Sequence, residues 1–233
     1  MPITQKPLAV PVFAAALLLA VTACSPDSGA PAGDGGTPPK AGAGAGAGGA
    51  ALGVVDTLTV KGRAPRTGYE REKFGRAWVD VDRNGCGTRD DILARDLTGV
   101  RYADGRCKVA SGTLRSDPYT GGSIDYVRGR SNVDIDHVVA LSDAWQKGAQ
   151  KWSADTRLRF ANDPLNLLAV DSAANRRKSD GDAATWLPPN RSYRCTYVAR
   201  QVAVKKKYGV WVTAGERDAM KRVLGGCPGQ RLP

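Results

Sequence analysis

Residues 134–180 carry three short polar motifs in a fixed order: Asp134-Ile-Asp-His-Val-Val139, Asn162-Asp-Pro-Leu-Asn-Leu-Leu168 and Asn175-Arg-Arg-Lys-Ser-Asp180. The first motif lies in an alternating, β-branched run over 133–141, which is typical of a strand. The second leads into a short apolar run over 165–170, which predicts another strand. Residues 173–179 then have helical character up to Gly181. The three motifs are therefore expected to lie in the order strand, loop, strand and helix.

Outward from this stretch, the sequence predicts an α+β protein with more helix than strand. Two β-prone runs over 109–114 and 124–127 flank the turn residues 117–122, which indicates a hairpin. Helices are expected over 66–80, 89–97, 142–152, 153–160, 193–208 and 214–224. We expect one mainly helical domain.

The N-terminal segment is expected to direct export. Lys6 precedes an apolar run over 8–23, which is too short for a comfortable membrane span. The run ends at Val21-Thr-Ala-Cys24, which resembles a bacterial lipobox with Cys24 as the lipidated residue. We therefore assign 1–23 to a signal peptide. The mature protein is expected at the extracytoplasmic face of the bacterial membrane as a lipoprotein, with secretion as the alternative.

Residues 24–53 consist mainly of Gly, Ala, Pro and small polar residues, which bury too little apolar surface to order themselves. This composition predicts a disordered tether, followed by one folded domain over 54–233. The chain has 34 Lys and Arg against 23 Asp and Glu, a net charge of +11, whereas residues 1–52 are neutral. The positive charge therefore belongs to the folded part. It favours a polyanionic partner, although a basic protein that is merely soluble would have the same balance.

The histidine and cysteine counts narrow the chemistry. The single histidine, His137, excludes zinc centres and metalloproteases that need two imidazoles. Apart from Cys24, the chain has four cysteines: Cys86, Cys107, Cys195 and Cys227. An even number in an exported chain favours disulfides, and of the three pairings, sequence proximity favours Cys86 with Cys107 and Cys195 with Cys227. A four-cysteine zinc site is the rival, although the chain has no C-x-x-C pair.

The motifs together supply what hydrolysis of a phosphodiester requires. His137 is the only side chain whose ordinary pKa allows a neutral base near pH 7. Its neighbour Asp136 offers a hard oxygen to a divalent cation, and Asn175 can supply a second oxygen from the helix. One Mg²⁺ ion is the expected cofactor, with Mn²⁺ as the alternative. Three following residues add positive charge for phosphate binding: Arg176, Arg177 and Lys178.

These motifs resemble the HNH endonuclease family, also called ββα-metal or His-Me finger, and within it a branch of exported proteins with D-x-D-H followed by N-R-x-K. The family pattern is matched by Asp136-His137, Asn166-Leu167 and Asn175-Arg-Arg-Lys178. The similarity covers roughly residues 66–228. It implies a ββα-metal core, which is a two-stranded hairpin plus a helix, embedded in the mainly helical domain.

The resemblance also implies a role for each matched residue. His137 is expected to act as the general base, and Asp136 and Asn175 as metal ligands. Asn166 is expected to fix the loop and to orient the His137 ring through its backbone carbonyl or its side chain. Many members have histidine in place of Asn175; the amide oxygen is a weak, hard ligand and argues against tight Zn²⁺ binding.

We therefore expect a metal-dependent, sequence-non-specific endonuclease that hydrolyses phosphodiester bonds outside the cytoplasm as a monomer. DNA is the expected substrate, with RNA as the alternative. By resemblance, cleavage leaves 5′-phosphate and 3′-hydroxyl ends. The alternative from another class is an inactive surface lipoprotein that binds nucleic acid or an anionic polymer without cutting, and the intact set of motif residues argues against it.

Three other features allow two interpretations each. The loop Asp80-Val-Asp-Arg-Asn-Gly85, with Asp91 at its twelfth position, matches the start of a calcium-binding EF-hand loop, or it is an Asx-rich turn. Lys205-Lys-Lys207 is a phosphate track or a solvated helix face. Arg89 binds substrate or forms a salt bridge with Asp91 or Asp96.

Overall fold

In residues 50–130 and 132–233, which the computed structural model describes, helices and small antiparallel sheets are interspersed. The helices are α1 (Ala51–Val55), α2 (Thr88–Asp96), α3 (Leu141–Gln146), α4 (Ala154–Ala161), α5 (Ser172–Lys178), α6 (Arg194–Tyr208) and α7 (Ala214–Gly225). The strands are β1 (Thr98–Tyr102), β2 (Val109–Leu114), β3 (Ile124–Val127), β4 (Val133–His137) and β5 (Leu167–Asp171). The predicted α+β class is confirmed. No helix in these residues is long and apolar enough to cross a bilayer.

The N-terminal predictions fall mostly outside the described residues, which begin at residue 50. The signal peptide over 1–23 and the lipidated Cys24 therefore stay predictions. Residues 51–53, which the composition assigned to the tether, belong to α1, where Ala51 and Val55 are buried. Small apolar residues have the same composition in a linker and in a short helix. Only the burial of Ala51 and Val55 shows that this segment belongs to the folded part.

Two antiparallel sheets arrange the strands. β1, β2 and β3 form one sheet in that order, and β2 with β3 is the predicted hairpin, with Ser111 opposite Val127. β4 and β5 form a separate two-stranded sheet, in which Asp136 lies opposite Leu168. The predicted strand over 133–141 is shorter than expected, because it ends at His137 and α3 follows.

The β4–β5 sheet has one apolar and one polar face. Val133 and Ile135 of β4 lie in an apolar cluster with Ile92 of α2. Since successive residues of a strand point to opposite faces, Asp134 and Asp136 face the other way, where each bonds to α5. The alternation that predicted the strand therefore also sorts core residues from site residues.

α5 begins directly after β5 because Asp171 caps it. The Asp171 carboxylate accepts the backbone N–H of Ala174 at 2.7 Å. Ala174 is buried in a cluster with Leu168 of β5 and Val198 of α6. These contacts fix α5 against the β4–β5 sheet.

The helix predicted over 66–80 is wrong. The structure has only a 3₁₀ turn at Arg71–Phe74 in this segment. Gly68 and Gly75 adopt φ angles of 75° and 79°, a left-handed conformation that interrupts a helix. Phe74 is buried nonetheless, so the spacing of apolar residues reflected burial rather than helical structure.

The four cysteines form two disulfides, Cys86–Cys107 and Cys195–Cys227, with Cα–Cα distances of 5.2 and 6.4 Å. The pairing favoured by sequence proximity is therefore confirmed. The first disulfide ties the acidic loop before α2 to the connection between β1 and β2. The second ties the start of α6 to the residues after α7.

The acidic loop before α2 is held by its own donors. The Asn84 amide nitrogen donates to Asp82 at 3.2 Å and to Asp91 at 3.0 Å. Asp80 accepts the backbone N–H groups of Asn84 and Gly85 at 3.1 and 2.9 Å. These bonds are those of an Asx-rich turn.

A buried lysine connects α3, α7 and the segment after α5. Lys147 is fully buried, and its Nζ lies 2.7 Å from Asp143, 2.8 Å from Asp182 and 2.6 Å from Glu216. A buried ammonium is tolerated only when carboxylates compensate its charge. The three acids must therefore stay in place around it.

Two further cations complete this ion cluster. Lys205 of α6 lies 3.2 Å from Asp143 and 2.9 Å from Glu216, and Arg63 lies 2.9 Å from Asp143. Burial alone would raise the pKa of Asp143, but the lysines offset this and hold it below its usual value. Lys205 is thus neither a phosphate track nor solvated, while Lys207 pairs with Asp163 at 2.6 Å.

Replacing Lys147 by Met should lower the free energy of unfolding by about 3–5 kcal/mol, because three buried carboxylates would lose their shared cation. Lys206→Met, at an exposed position of α6, is the control and should change it by no more than about 0.5 kcal/mol. Urea unfolding with the disulfides intact measures both. Equal stability of the two variants would show that the cluster contributes little.

Candidate active site

Two buried donors hold the carboxylate of Asp136. Lys178 Nζ lies 3.0 Å from each Asp136 oxygen, and the Tyr119 hydroxyl donates to Oδ2 at 2.5 Å. Lys178 also donates to the carbonyl of His137 at 2.9 Å. Burial raises the pKa of Asp136 above its usual value, although Lys178 and Tyr119 act in the opposite direction. Asp136 is thus fixed in one orientation at the end of β4.

His137 lies next to it, with its ring stacked against Trp78 at 6.3 Å between centroids. Nε2 lies 2.8 Å from the carbonyl oxygen of Ala161. Because a carbonyl only accepts, Nε2 carries the proton and Nδ1 keeps its lone pair. Burial lowers the pKa of His137 to about 3, and the positive charge of Arg71 acts in the same direction. The imidazole is therefore neutral at pH 7.

Asn166 is fully buried and bonds to the loop after β4. Its side chain accepts the N–H of Val139 at 2.8 Å and donates to the carbonyl of the same residue at 3.2 Å. Its carbonyl accepts the N–H of Val138 at 2.8 Å. The carbonyl that contacts the His137 ring belongs instead to Ala161, at the end of α4, so Asn166 acts on the loop rather than on the ring.

Asn175 projects from α5 toward β4. Its amide nitrogen donates to Asp134 Oδ2 at 3.1 Å, so the amide oxygen is not used in this bond. Asn175 and Lys178 are three residues apart and share one face of the helix. Asp134 and Asp136 are two apart and share one face of the strand. The two pairs therefore meet side by side.

Some of these residues line a cleft of about 320 Å³. Asp136, His137 and Asn175 form part of its wall, together with Arg66 and Arg71 from the segment before α2. Both arginines are exposed, and neither forms an ion pair with any residue that the structure describes, although Arg66 lies over the Tyr69 ring at 5.0 Å. The cleft thus combines a neutral imidazole, a carboxylate, an amide and two arginines without an ion pair.

Residues 87–223 match the model of the C-terminal domain of GmrSD restriction endonucleases. The match covers more than half of the chain and contains all three motifs. The chain belongs to the GmrSD C-terminal domain family.

The chain is also similar to an uncharacterized secreted protein of Arthroderma benhamiae. The two sequences are 40% identical over 179 residues, and this alignment covers 76% of this chain and 84% of that protein. No solved structure matches the chain.

In this member of the GmrSD C-terminal domain family, the cations expected to bind phosphate lie in different surroundings. Arg176 and Arg177 are exposed on α5, whereas Lys178 is buried against Asp136. Arg89 is half-buried on α2 and lies outside the residues that line the cleft.

Several residues of the site were missed from the sequence. Asp134 had a signal, since it is the first position of the D-x-D-H motif. Arg66 and Arg71 lie before the residues that the family model matches and inside the wrongly predicted helix. Ala161 contributes only a backbone carbonyl, which leaves no sequence signal.

The donor set fits one hard divalent cation. Asp136 and the oxygen of Asn175 offer two oxygen ligands on one wall of the cleft, and Mg²⁺ commonly binds few protein ligands and keeps several waters. Among the described residues, no group of three or more His, Cys, Asp or Glu side chains is arranged to hold a metal ion. A metal site in this cleft would therefore depend on Asn175 as well as on Asp136.

The single histidine allows a direct test of its protonation. In the metal-free protein, we expect the imidazole carbon resonance of His137 to keep the chemical shift of a neutral ring from pH 8 down to pH 5, because its pKa is lowered to about 3. Between these pH values the unfolded chain binds the extra proton, since its pKa is near 6.5, so the free energy of unfolding should fall as the pH drops below 6.5. If this resonance titrates with a midpoint near pH 6.5, burial does not lower the pKa of His137.

Proposed function

We propose that this protein is a metal-dependent, sequence-non-specific endonuclease of the ββα-metal type that hydrolyses nucleic-acid phosphodiester bonds. The observation that carries the proposal is the imidazole of His137, bonded through Nε2 to the Ala161 carbonyl, in a cleft whose wall also holds Asp136 and Asn175. β4, β5 and α5 would be the two strands and the helix of such a core. Membership of a restriction-endonuclease domain family supports the nuclease activity.

His137 would act through Nδ1. With Nε2 bonded to Ala161, Nδ1 accepts a proton from a water molecule in the cleft, and the water oxygen attacks the phosphorus in line. The bond from phosphorus to the 3′ oxygen breaks, and the departing oxygen takes up a proton from solvent water, which leaves 5′-phosphate and 3′-hydroxyl ends. A ring that were already protonated at pH 7 would offer no such base.

Asp136 and Asn175 would hold the cation, most simply Mg²⁺ with Mn²⁺ as a substitute. When bound, the cation supplies positive charge to the departing 3′ oxygen. Tyr119 and Lys178 keep the Asp136 carboxylate in position, and Asp134 keeps the amide oxygen of Asn175 turned to the cleft.

The first test uses plasmid DNA with Mg²⁺ or Mn²⁺. The wild-type protein should nick the plasmid and EDTA should stop the reaction. His137→Ala should lose about 10²–10⁴ of the rate, the usual contribution of a general base. Arg191→Ala, at an exposed position away from the cleft, is the control and should cleave like the wild type.

If His137→Ala cleaves as fast as the wild type, the proposed mechanism is wrong. Salt-sensitive binding of DNA with no metal-dependent cleavage by the wild type would instead support a binding module.

Arg66 and Arg71 are proposed to bind substrate phosphate. In EDTA and on the His137→Ala background, replacing either by Ala should weaken DNA binding several-fold. Each change should also reduce the slope of log affinity against log salt by about 0.9, since one phosphate contact is lost. Fluorescence anisotropy at several salt concentrations measures both quantities, with Arg191→Ala as the control. If the slope of log affinity against log salt is unchanged when both Arg66 and Arg71 are replaced by Ala, neither arginine contacts a phosphate of the DNA.

We also propose that the protein works outside the cytoplasm as a monomer, tethered to the membrane through a lipid on Cys24. The secreted relative supports export. DNA is the proposed substrate, with RNA as the alternative that a comparison of matched duplexes and single strands would distinguish.

A further inference from the structure

The cleft has neighbouring cavities of very different size. One neighbour, of only about 20 Å³, shares His137 with the cleft. Another, of about 480 Å³, shares Asp180 with the cleft and is not lined by His137. That cavity shares Thr185 and Trp186 with a further cavity of about 390 Å³. Among the described residues, the cleft is therefore followed by a groove of two larger cavities that the histidine does not line.

The first cavity of this groove, here called the Arg177 cavity, has one free cation and one aromatic side chain. Two of its cations, Arg63 and Lys178, already pair with buried carboxylates. Arg177 is exposed and bonds to no residue that the structure describes. Trp186 is half-buried, packs edge-to-face against Tyr119 and Tyr197 at 4.9 and 5.6 Å between centroids, and also lines the cavity. A cation beside an aromatic ring suits a nucleotide, which has a phosphate and a base to stack.

The direction of the proposed reaction decides which nucleotide reaches this cavity. In an in-line displacement, the attacking water is on the side of His137, and the departing 3′ oxygen is on the opposite side, toward Asp136 and Asn175. The 3′ oxygen belongs to the nucleotide on the 5′ side of the scissile phosphate. That nucleotide therefore leaves the cleft away from His137, and the groove that begins at Asp180 is the larger neighbour of the cleft that His137 does not line.

We infer that the Arg177 cavity is the subsite for the nucleotide on the 5′ side of the scissile bond, with Arg177 bound to its 5′ phosphate and Trp186 against its base. The inference rests on the proposed function and specifies the path of its substrate. Asp180 lies at the junction and accepts a hydrogen bond from Ser142 at 3.1 Å. Its negative charge repels a phosphate placed directly over it, so the upstream phosphate lies beyond it, at Arg177.

The test uses an oligonucleotide in which every linkage is an uncharged methylphosphonate except two adjacent phosphodiesters. Cutting the 3′ one of the two puts the other phosphate upstream, at Arg177. Cutting the 5′ one puts the other phosphate downstream. The ratio of the two products reports the effect of the upstream charge within one reaction, independently of protein concentration and folded fraction. Arg177→Ala, Arg177→Lys and the exposed control Arg191→Ala are compared with the wild type.

Arg177→Ala should shift the ratio toward the 5′ cut by roughly tenfold, the usual effect of losing one charged hydrogen bond. Arg177→Lys should restore part of the ratio, because the positive charge remains, and Arg191→Ala should leave it unchanged. An active enzyme whose ratio is the same with Arg177→Ala, or shifts toward the 3′ cut, overturns the subsite alone. A wild-type protein that cuts no phosphodiester, in plasmid or oligonucleotide, overturns both the subsite and the proposed function.

Discussion

The buried ammonium of Lys178 is the contact on which the geometry of the site depends. It joins the Asp136 carboxylate and the His137 carbonyl of β4 to the last turn of α5. A fully buried lysine requires such partners, so α5 is held at the one rotation about its axis that brings Lys178 over the strand. At that rotation Asn175, three residues earlier, lies over Asp134. The spacing of D-x-D in the strand and N-x-x-K in the helix is thus one arrangement, in which two strand residues bond to two helix residues.

The same burial separates the properties of two neighbouring residues. Burial lowers the pKa of His137, whose ring packs against Trp78, and the nearby positive charge of Arg71 adds to this, whereas the bond to the Ala161 carbonyl acts in the opposite direction. Asp136, equally enclosed, has Lys178 and Tyr119 as direct donors, which counteract the effect of burial. One residue therefore keeps a lone pair at Nδ1 and the other is held in one orientation, as the proposed base and the proposed oxygen ligand require. This difference arises from partners in α4, α5 and the segment before β3 rather than from the strand itself.

What could be predicted from the sequence is the part carried by local pattern and by motif. The alternation in β4, the helical pattern of α5 and the spacing of the cysteines each depend on residues close together in the chain, and these predictions agree with the structure. The segment that contains Arg66 and Arg71 was misjudged, because apolar residues at helical spacing also occur in an irregular segment packed on a core. Asn166 was expected to orient the His137 ring because it lies in a motif. The group that bonds to the ring is instead the backbone carbonyl of Ala161 at the end of α4, and a backbone carbonyl leaves no signal in the sequence.

The positive charge of the folded part shows why composition is a weak guide to a binding surface. Lys147, Lys178 and Lys205 are fully buried and matched by carboxylates, so they add to the count of basic residues without being available to a polyanion. Among the described residues, the cations without an ion pair that line the cleft and the Arg177 cavity are arginines, two from the segment before α2 and one from the exposed face of α5. A guanidinium can bond a phosphate through two parallel N–H groups, whereas an ammonium is a point charge that satisfies a buried carboxylate from any direction. Buried lysines in the ion pairs and unpaired arginines along the cleft therefore agree with the geometry of their partners. Of these arginines, only Arg177 belongs to the basic run of the motif, whereas Arg66 and Arg71 come from a segment in which the sequence indicated no phosphate binding.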